Sequence, residues 1–153
     1  MNQSLENILA VHAPRLQRIA RQYAGSNDWQ DLYQEMTLSI WRGLDGFAGR
    51  SSLATWVYRV AVNTALQHVR KKPLPTMEWT SEPIGVTGPS DPMHILDAFL
   101  RQLDPVNRAV LLLDLEGLDR HQVGDVLGMS AGAVAVRMTR LRARFSEEFV
   151  ETR

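Results

Sequence analysis

SSLATWVYRVAVNTALQHVRKK, residues 51 to 72, is the stretch whose reading decides the fold. It opens on a serine pair able to cap free amides and runs without glycine or proline. It closes on Arg70, Lys71 and Lys72, where cations favour a helix end. The pattern predicts one helix. At 3.6 residues per turn Leu53, Val57, Val60 and Thr64 share one side, and Trp56, Arg59, Asn63, Gln67 and Arg70 form a neighbouring stripe. An aromatic ring, a forked cation, amides and further cations suit a ligand with flat rings, hydrogen-bonding edges and phosphates, which is the description of nucleic acid. A solvated polar face behind a packed tryptophan explains the same residues, and the flanking sequence has to decide.

Upstream, a short loop at 46 to 50 carries Phe47 at its centre. Before it, Asn27 or Asp28 starts a helix in which Leu32, Met36, Ile40 and Leu44, with Trp29 and Tyr33, share a broad apolar arc. Asp28, Asp31 and Glu35 lie opposite, with Leu38 beside them, near the amino end where the helix dipole favours acids. At the start of the chain Ser4 is placed to cap a short helix to residue 11, and Pro14 to open a second one running to Tyr23 and Gly25, with Ile8, Leu16, Ile19 and Tyr23 as core. No strand periodicity appears anywhere.

Downstream, Pro73, Pro75, Pro83, Gly85, Gly88 and Pro89 mark a flexible linker, in which Trp79 can dock on either side. Asp91-Pro92 and Asp104-Pro105 each place an N-cap before a proline at the first helical position. The first of these helices carries Ile95, Leu96, Phe99 and Leu103; the second, 106 to 116, carries Val110, Leu111, Leu113 and Leu115 and stops at Gly117. Asp119 then caps a short helix with Val123, Val126 and Leu127 that ends at Gly128. Ser130 caps a last one with Val134, Met138, Leu141 and Phe145. Two capped helices joined by Gly-Met-Ser read as a helix-turn-helix, with Arg137, Arg140 and Arg144 on the outward side of the second. An ordinary helical hairpin with a basic surface is the plainer alternative.

The fold class expected is therefore all-α: two small helical domains, 1 to 72 and 91 to 153, joined by a linker at 73 to 90. The chain of 153 residues has 44% apolar residues, enough for a core or two, and its 17 basic and 17 acidic residues leave no net charge. Attraction to nucleic acid must then come from segregated charge. Residues 25 to 49 hold Asp28, Asp31, Glu35 and Asp45 against Arg42, a balance of −3, and residues 51 to 75 hold Arg59, Arg70, Lys71 and Lys72 without an acid, a balance of +4. With no cysteine there is no disulfide or thiolate site. No signal-like amino end and no long apolar run appear, so a cytoplasmic chain without membrane insertion is expected.

With these segments in view, the chain resembles a bacterial sigma factor of the extracytoplasmic-function class. The residues that carry the resemblance are DLYQEMTLSIW at 31 to 41, FAGRSSLATWVYRVAVNTA at 47 to 65 and EGLDRHQVGDVLGMSAGAVAVRMTRLRAR at 116 to 144. They look like regions two and four of that family, in order. The resemblance implies promoter recognition and DNA melting for transcription initiation, without catalysis, cofactor or metal. Asp31, Gln34, Glu35, Leu38 and Trp41 would hold the clamp helices of the largest subunit of the RNA polymerase core, the flap being a second contact. The loop and helix start from Phe47 to Ala54, with Arg50, Ser51 and Ser52, would capture a base flipped from the minus-ten element of promoter DNA, Arg59 and Asn63 would contact the exposed strand, and Trp56, Arg70, Lys71 and Lys72 would join them in binding and melting that element. Ser130, Ala133, Val136, Arg137, Arg140 and Arg144 would read the minus-thirty-five element. An anti-sigma protein occupying both polymerase-binding surfaces is a further implied partner.

The chain departs from the family in having Ala133, Ala135 and Val136 where threonine, lysine and serine are common, and Gly124 where alanine is. Ala133 and Val136 suit thymine methyls only, so Arg137 and Arg140 are left for polar base reading. Two other classes stand beside this reading. One is a stand-alone helix-turn-helix regulator with a sensory helical bundle in front. The other is an enzyme built on His94/Asp97 or His121/Asp125, although no third ligand or nucleophile accompanies either pair.

Overall fold

The computed structural model describes residues 5–71 and 92–150; the expected linker, with Trp79, and the capping positions Ser4 and Asp91 lie outside them. In chain order the helices are α1 (Leu5–Tyr23), α2 (Trp29–Gly43), α3 (Leu53–Lys71), α4 (Pro92–Gln102), α5 (Pro105–Leu115), α6 (Arg120–Leu127) and α7 (Ala131–Phe145). A 3-10 turn at Leu44–Gly46 follows α2, and a π turn at Ser146–Val150 follows α7. Among the described residues there is no strand.

One sequence expectation fails at the amino end. Where two helices were read, α1 runs unbroken with Pro14 inside it. An interior proline removes one backbone hydrogen bond and costs about 3 kcal/mol in a free helix. Here Ile8, His12, Leu16, Ile19 and Tyr23 form a single buried line on either side of it, and that packing outweighs the break. Propensity is overridden by burial.

Four caps behave as their sequences dictate, whereas Asp28 at the start of α2 makes no side-chain cap bond. Ser52 Oγ accepts from the Thr55 amide at 3.1 Å to open α3. Asp104 accepts from the Asn107 amide to open α5, with Pro105 at the first helical position. Asp119 and Gln122 form a reciprocal capping box at α6, and Ser130 accepts from the Ala133 amide to open α7. Two glycines at the turn between α6 and α7 are structural requirements. Gly128 sits in the left-handed region at φ 74°, and a Cβ on Gly124 would lie 2.4 Å from the Met129 carbonyl oxygen. The departure from the family's alanine at Gly124 is thus a matter of backbone approach at the turn.

The buried face of α3 is wider than, and turned from, the one expected. Val57, Tyr58, Ala61, Val62 and Ala65 are buried, whereas Leu53, Val60 and Thr64 are half-buried at its margin. The reason is that α3 is packed on more than one side, by α1 and α2 and by α5 and α6. Leu115 also departs from its expected core role and is 49% exposed, while Leu112 takes the inward place.

The helices form two groups, α1 to α3 and α4 to α7, and the buried side chains of both join in one cluster from Ile8 to Leu141. Polar ties cross between the groups at the carboxyl half of α1. The Tyr23 hydroxyl donates to the Pro105 carbonyl at 2.6 Å, and Arg18 forks onto Glu116 with two bonds of 2.9 Å. Arg15 approaches the same carboxylate at 3.4 Å, so Glu116, whose side chain is only 8% exposed, is held by two cations. At the centre lies Arg108. It is buried, and it donates to the carbonyls of Gln22 at 2.6 Å, Leu103 at 2.9 Å and Leu100 at 3.0 Å. These oxygens belong to the ends of α1 and α4, where negative dipole charge gathers and a cation fits without a carboxylate. Burial pulls its pKa down, and the Tyr23 ring beneath it opposes this.

Candidate nucleic-acid interface

The loop before α3 and the start of that helix form one aromatic corner. The Trp56 ring tilts against Phe47 with centroids 5.5 Å apart, and its edge rests on Gly43, where an added Cβ would lie 3.0 Å from the ring. Ser51 is half-buried, and Arg50 and Ser52 are exposed beside the corner. Ser52 spends its hydroxyl on the Thr55 cap and side chain. A half-buried ring held from behind, next to exposed hydroxyls and a cation, is a surface on which an unstacked base can rest.

Along α3 the outward stripe is present. Asn63, Gln67, Arg70 and Lys71 are exposed; Lys72 lies outside the described residues. Arg59 differs from them. Its Nε and Nη2 both donate to the Asp125 carbonyl, at 3.1 and 2.8 Å, so the guanidinium caps the carboxyl end of α6 from the other helical group. Periodicity places Arg59 on the stripe correctly but cannot show that α6 lies over it.

On α2, Asp31, Gln34, Glu35, Leu38 and Trp41 all face outward, opposite the buried Leu32, Met36 and Ile40. Leu38 is 43% exposed and Trp41 59%, an apolar pair at the end of an acidic face. The acids are not wholly without partners, since Glu35 stands 3.7 Å from His68 Nδ1 of α3.

On α7, Ser130 is committed to its cap, and Ala133, Val136 and Arg140 are exposed. Arg140 has no partner among the described residues. Arg137 is half-buried and donates from Nη1 to Asn107 Oδ1 at 2.7 Å. Arg144 pairs with Glu148 at 3.1 Å and lies 5.7 Å over the Phe99 ring, which with Phe145 and Phe149 forms an aromatic group under the π turn. It is therefore less free for DNA than its outward position suggests. Two elements escaped the sequence reading. Arg108 carried a signal, a lone cation inside the apolar run of α5; Asn107 carried none. Asp97 is engaged by Gln22 and Arg101, and no group of three metal-ligating side chains occurs among the described residues.

The family model of sigma-70 region 2 matches residues 8–73, and that of sigma-70 region 4 matches residues 93–145. The ECF RNA polymerase sigma factor SigG of Mycobacterium tuberculosis is 35% identical over 151 residues, which cover 77% of this chain and 41% of that protein. The ECF RNA polymerase sigma-E factor of Escherichia coli K12 is 27% identical, over 92% of this chain and 84% of its own length. The chain thus spans about 41% of the length of the first curated relatives it matches. Two solved structures share the fold. One is the sigma factor RpoE bound to the anti-sigma factor NepR from Bartonella quintana, with TM-score 0.72, 20% identity and coverage of 93% and 94% of the two chains. The other is CnrH bound to the cytosolic domain of CnrY, with TM-score 0.70, 24% identity and coverage of 94% and 85%. A region-2-like helical unit followed by a region-4-like helix-turn-helix defines the class. The chain belongs to the sigma-70 family, in its extracytoplasmic-function group.

Proposed function

We propose that this chain is a dissociable, non-catalytic initiation factor that works in the cytoplasm, brings core RNA polymerase to promoter DNA and helps to open it. The observation that carries the reading is the exposed face of α2, where Asp31, Gln34, Glu35, Leu38 and Trp41 stand outward next to the aromatic corner of Phe47 and Trp56. An apolar pair left in water at the end of an acidic face suits a protein partner, here the clamp helices of the polymerase. The corner and the α3 stripe receive the melted minus-ten strand, and α7 enters the duplex at minus thirty-five. The working units are residues 1 to 72 and 91 to 153, with 73 to 90 between them. One fold neighbour is bound to an anti-sigma factor and the other to the cytosolic domain of CnrY, and an anti-sigma partner is expected for this chain. A stand-alone regulator has no use for the exposed Leu38 and Trp41.

Run-off transcription with core polymerase and a promoter library tests the function directly. The chain should confer promoter-specific initiation, and Asp31→Lys with Glu35→Lys should reduce co-purification with core while the fold persists. The free protein should bind duplex weakly, since zero net charge leaves little counterion release to draw on. Tight, sequence-specific binding to duplex without polymerase would overturn the proposal.

A further inference from the structure

The recognition helix α7 carries one arginine whose position is set from a different helix. Asp104, the N-cap of α5, accepts from the Asn107 amide at 3.2 Å and from Asn107 Nδ2 at 2.7 Å. A carboxylate only accepts, so the side-chain amide must turn its NH2 group to Asp104 and its oxygen the other way. That oxygen accepts from Arg137 Nη1 at 2.7 Å. Asn107, Ala133, Val136, Arg137, Arg140 and Leu141 together line an open hollow of about 380 Å³. The lining brings together Ala133 and Val136, the latter 49% exposed, with two guanidiniums.

We infer that Asp104 and Asn107 are positioning residues for Arg137, and that the hollow they complete prefers a guanine next to a thymine in the minus-thirty-five duplex. The inference rests on the reading that α7 enters the major groove. With Nη1 occupied, the Nε and Nη2 edge of Arg137 has no acceptor among the described residues and presents the parallel donor pair that matches guanine O6 and N7. Ala133 and Val136, which cannot hydrogen-bond through their side chains, meet the thymine methyl. An arginine already tethered gives up less side-chain freedom on contact, so the loss of Asn107 should weaken base choice more than it weakens the fold.

The experiment uses the full chain with core polymerase on a promoter whose minus-thirty-five element is randomised, comparing wild type, Asn107→Ala, Arg137→Ala, the double variant and Arg140→Ala, with thermal melts alongside. The backbone cap from Asp104 survives Asn107→Ala. Guanine preference at one position should fall about tenfold in Asn107→Ala, leaving the other positions unchanged, and the double variant should be no worse than Arg137→Ala. If Asn107→Ala lowers the melting temperature, Asn107→Ser replaces it, because serine can still donate toward Asp104 but is too short to reach Arg137. Unchanged preference in the asparagine variants while Arg137→Ala abolishes it would overturn the inference, since Arg137 then reads alone. Loss of preference in Arg140→Ala only would overturn it too, with the reading of α7 intact. No change in any variant, with transcription preserved, would remove both.

Discussion

The outward stripes of α3 and α7 look alike in sequence, each a polar row with arginines at helical spacing, yet they are anchored in opposite ways. On α7 the tethers are local: Asn107 for Arg137 and Glu148 for Arg144 belong to the same helical group. On α3 the tether comes from the other group, because Arg59 is bound to the Asp125 carbonyl of α6. If the groups separate, α7 keeps its arrangement and α3 gains a free guanidinium. The surface proposed to read duplex is thus preorganised within its own unit. The surface proposed to grip the strand depends on where the neighbouring unit lies.

The contrast breaks most severely at the joint. Arg108→Leu should lower folding stability by about 3 kcal/mol or more, because several buried carbonyls lose their donor at about 1–3 kcal/mol each. Chemical denaturation measures this, and a loss below about 1 kcal/mol would mean that the two groups are not held together there.

Next in size is the function of the stripe itself. Asn63→Ala should reduce promoter opening about ten- to a hundredfold, the equivalent of about 1–3 kcal/mol, with melting temperature unchanged. Arg59→Ala should show the same defect in opening but also lose about 1 kcal/mol of stability, since it gives up the forked bond to the α6 carbonyl. Abortive transcription on duplex and on pre-melted bubble templates, with parallel melts, separates the two; both defects should shrink on the bubble. Equal melting of the two variants would mean that the contact between Arg59 and α6 contributes nothing to the folded state.

Gly124→Ala sharpens the other side. Its Cβ must displace the Met129 carbonyl, at a cost of about 1–3 kcal/mol, and α7 should shift with it. Dependence on the minus-thirty-five element should therefore fall, whereas activity on bubble templates should not. A variant as stable as wild type would show that the turn has more room than the 2.4 Å approach allows.

The smallest effect is a pH dependence beneath α3. His12 is buried edge-on to Tyr58, its Nδ1 without a partner, and burial first, then Arg15, holds its pKa below 6.5. The unfolded chain therefore takes up the proton first as pH falls. Stability is fully present above about pH 6.5 and declines below it until the folded histidine also titrates. Melting temperature measured from pH 7.5 to 5 should fall less in His12→Phe than in wild type.

Much of this was legible in the chain. The caps at Asp104, Asp119 and Ser130, the stop at Gly117 and the turn at Gly128 are local, because a short side chain bonds an amide two or three residues away. The apolar arc of α2 and its acidic face follow from periodicity, which a single helix carries in full. What needed the tertiary structure were choices among locally equal options. Pro14 reads as a helix start until Ile8, His12, Leu16, Ile19 and Tyr23 are seen buried in one line. Arg59 and Asn63 are equivalent on the stripe until α6 covers the first and leaves the second exposed. Arg108, a lone cation in an apolar run, and Arg137, on the outward side of α7, have no legible partner until the carbonyls of Gln22, Leu100 and Leu103 and the amide of Asn107 arrive from elsewhere. Caps and the periodic faces of helices depend on neighbours within about one turn, so sequence determined them. Which polar group meets which depends on how the helices pack, and only the folded chain decided that.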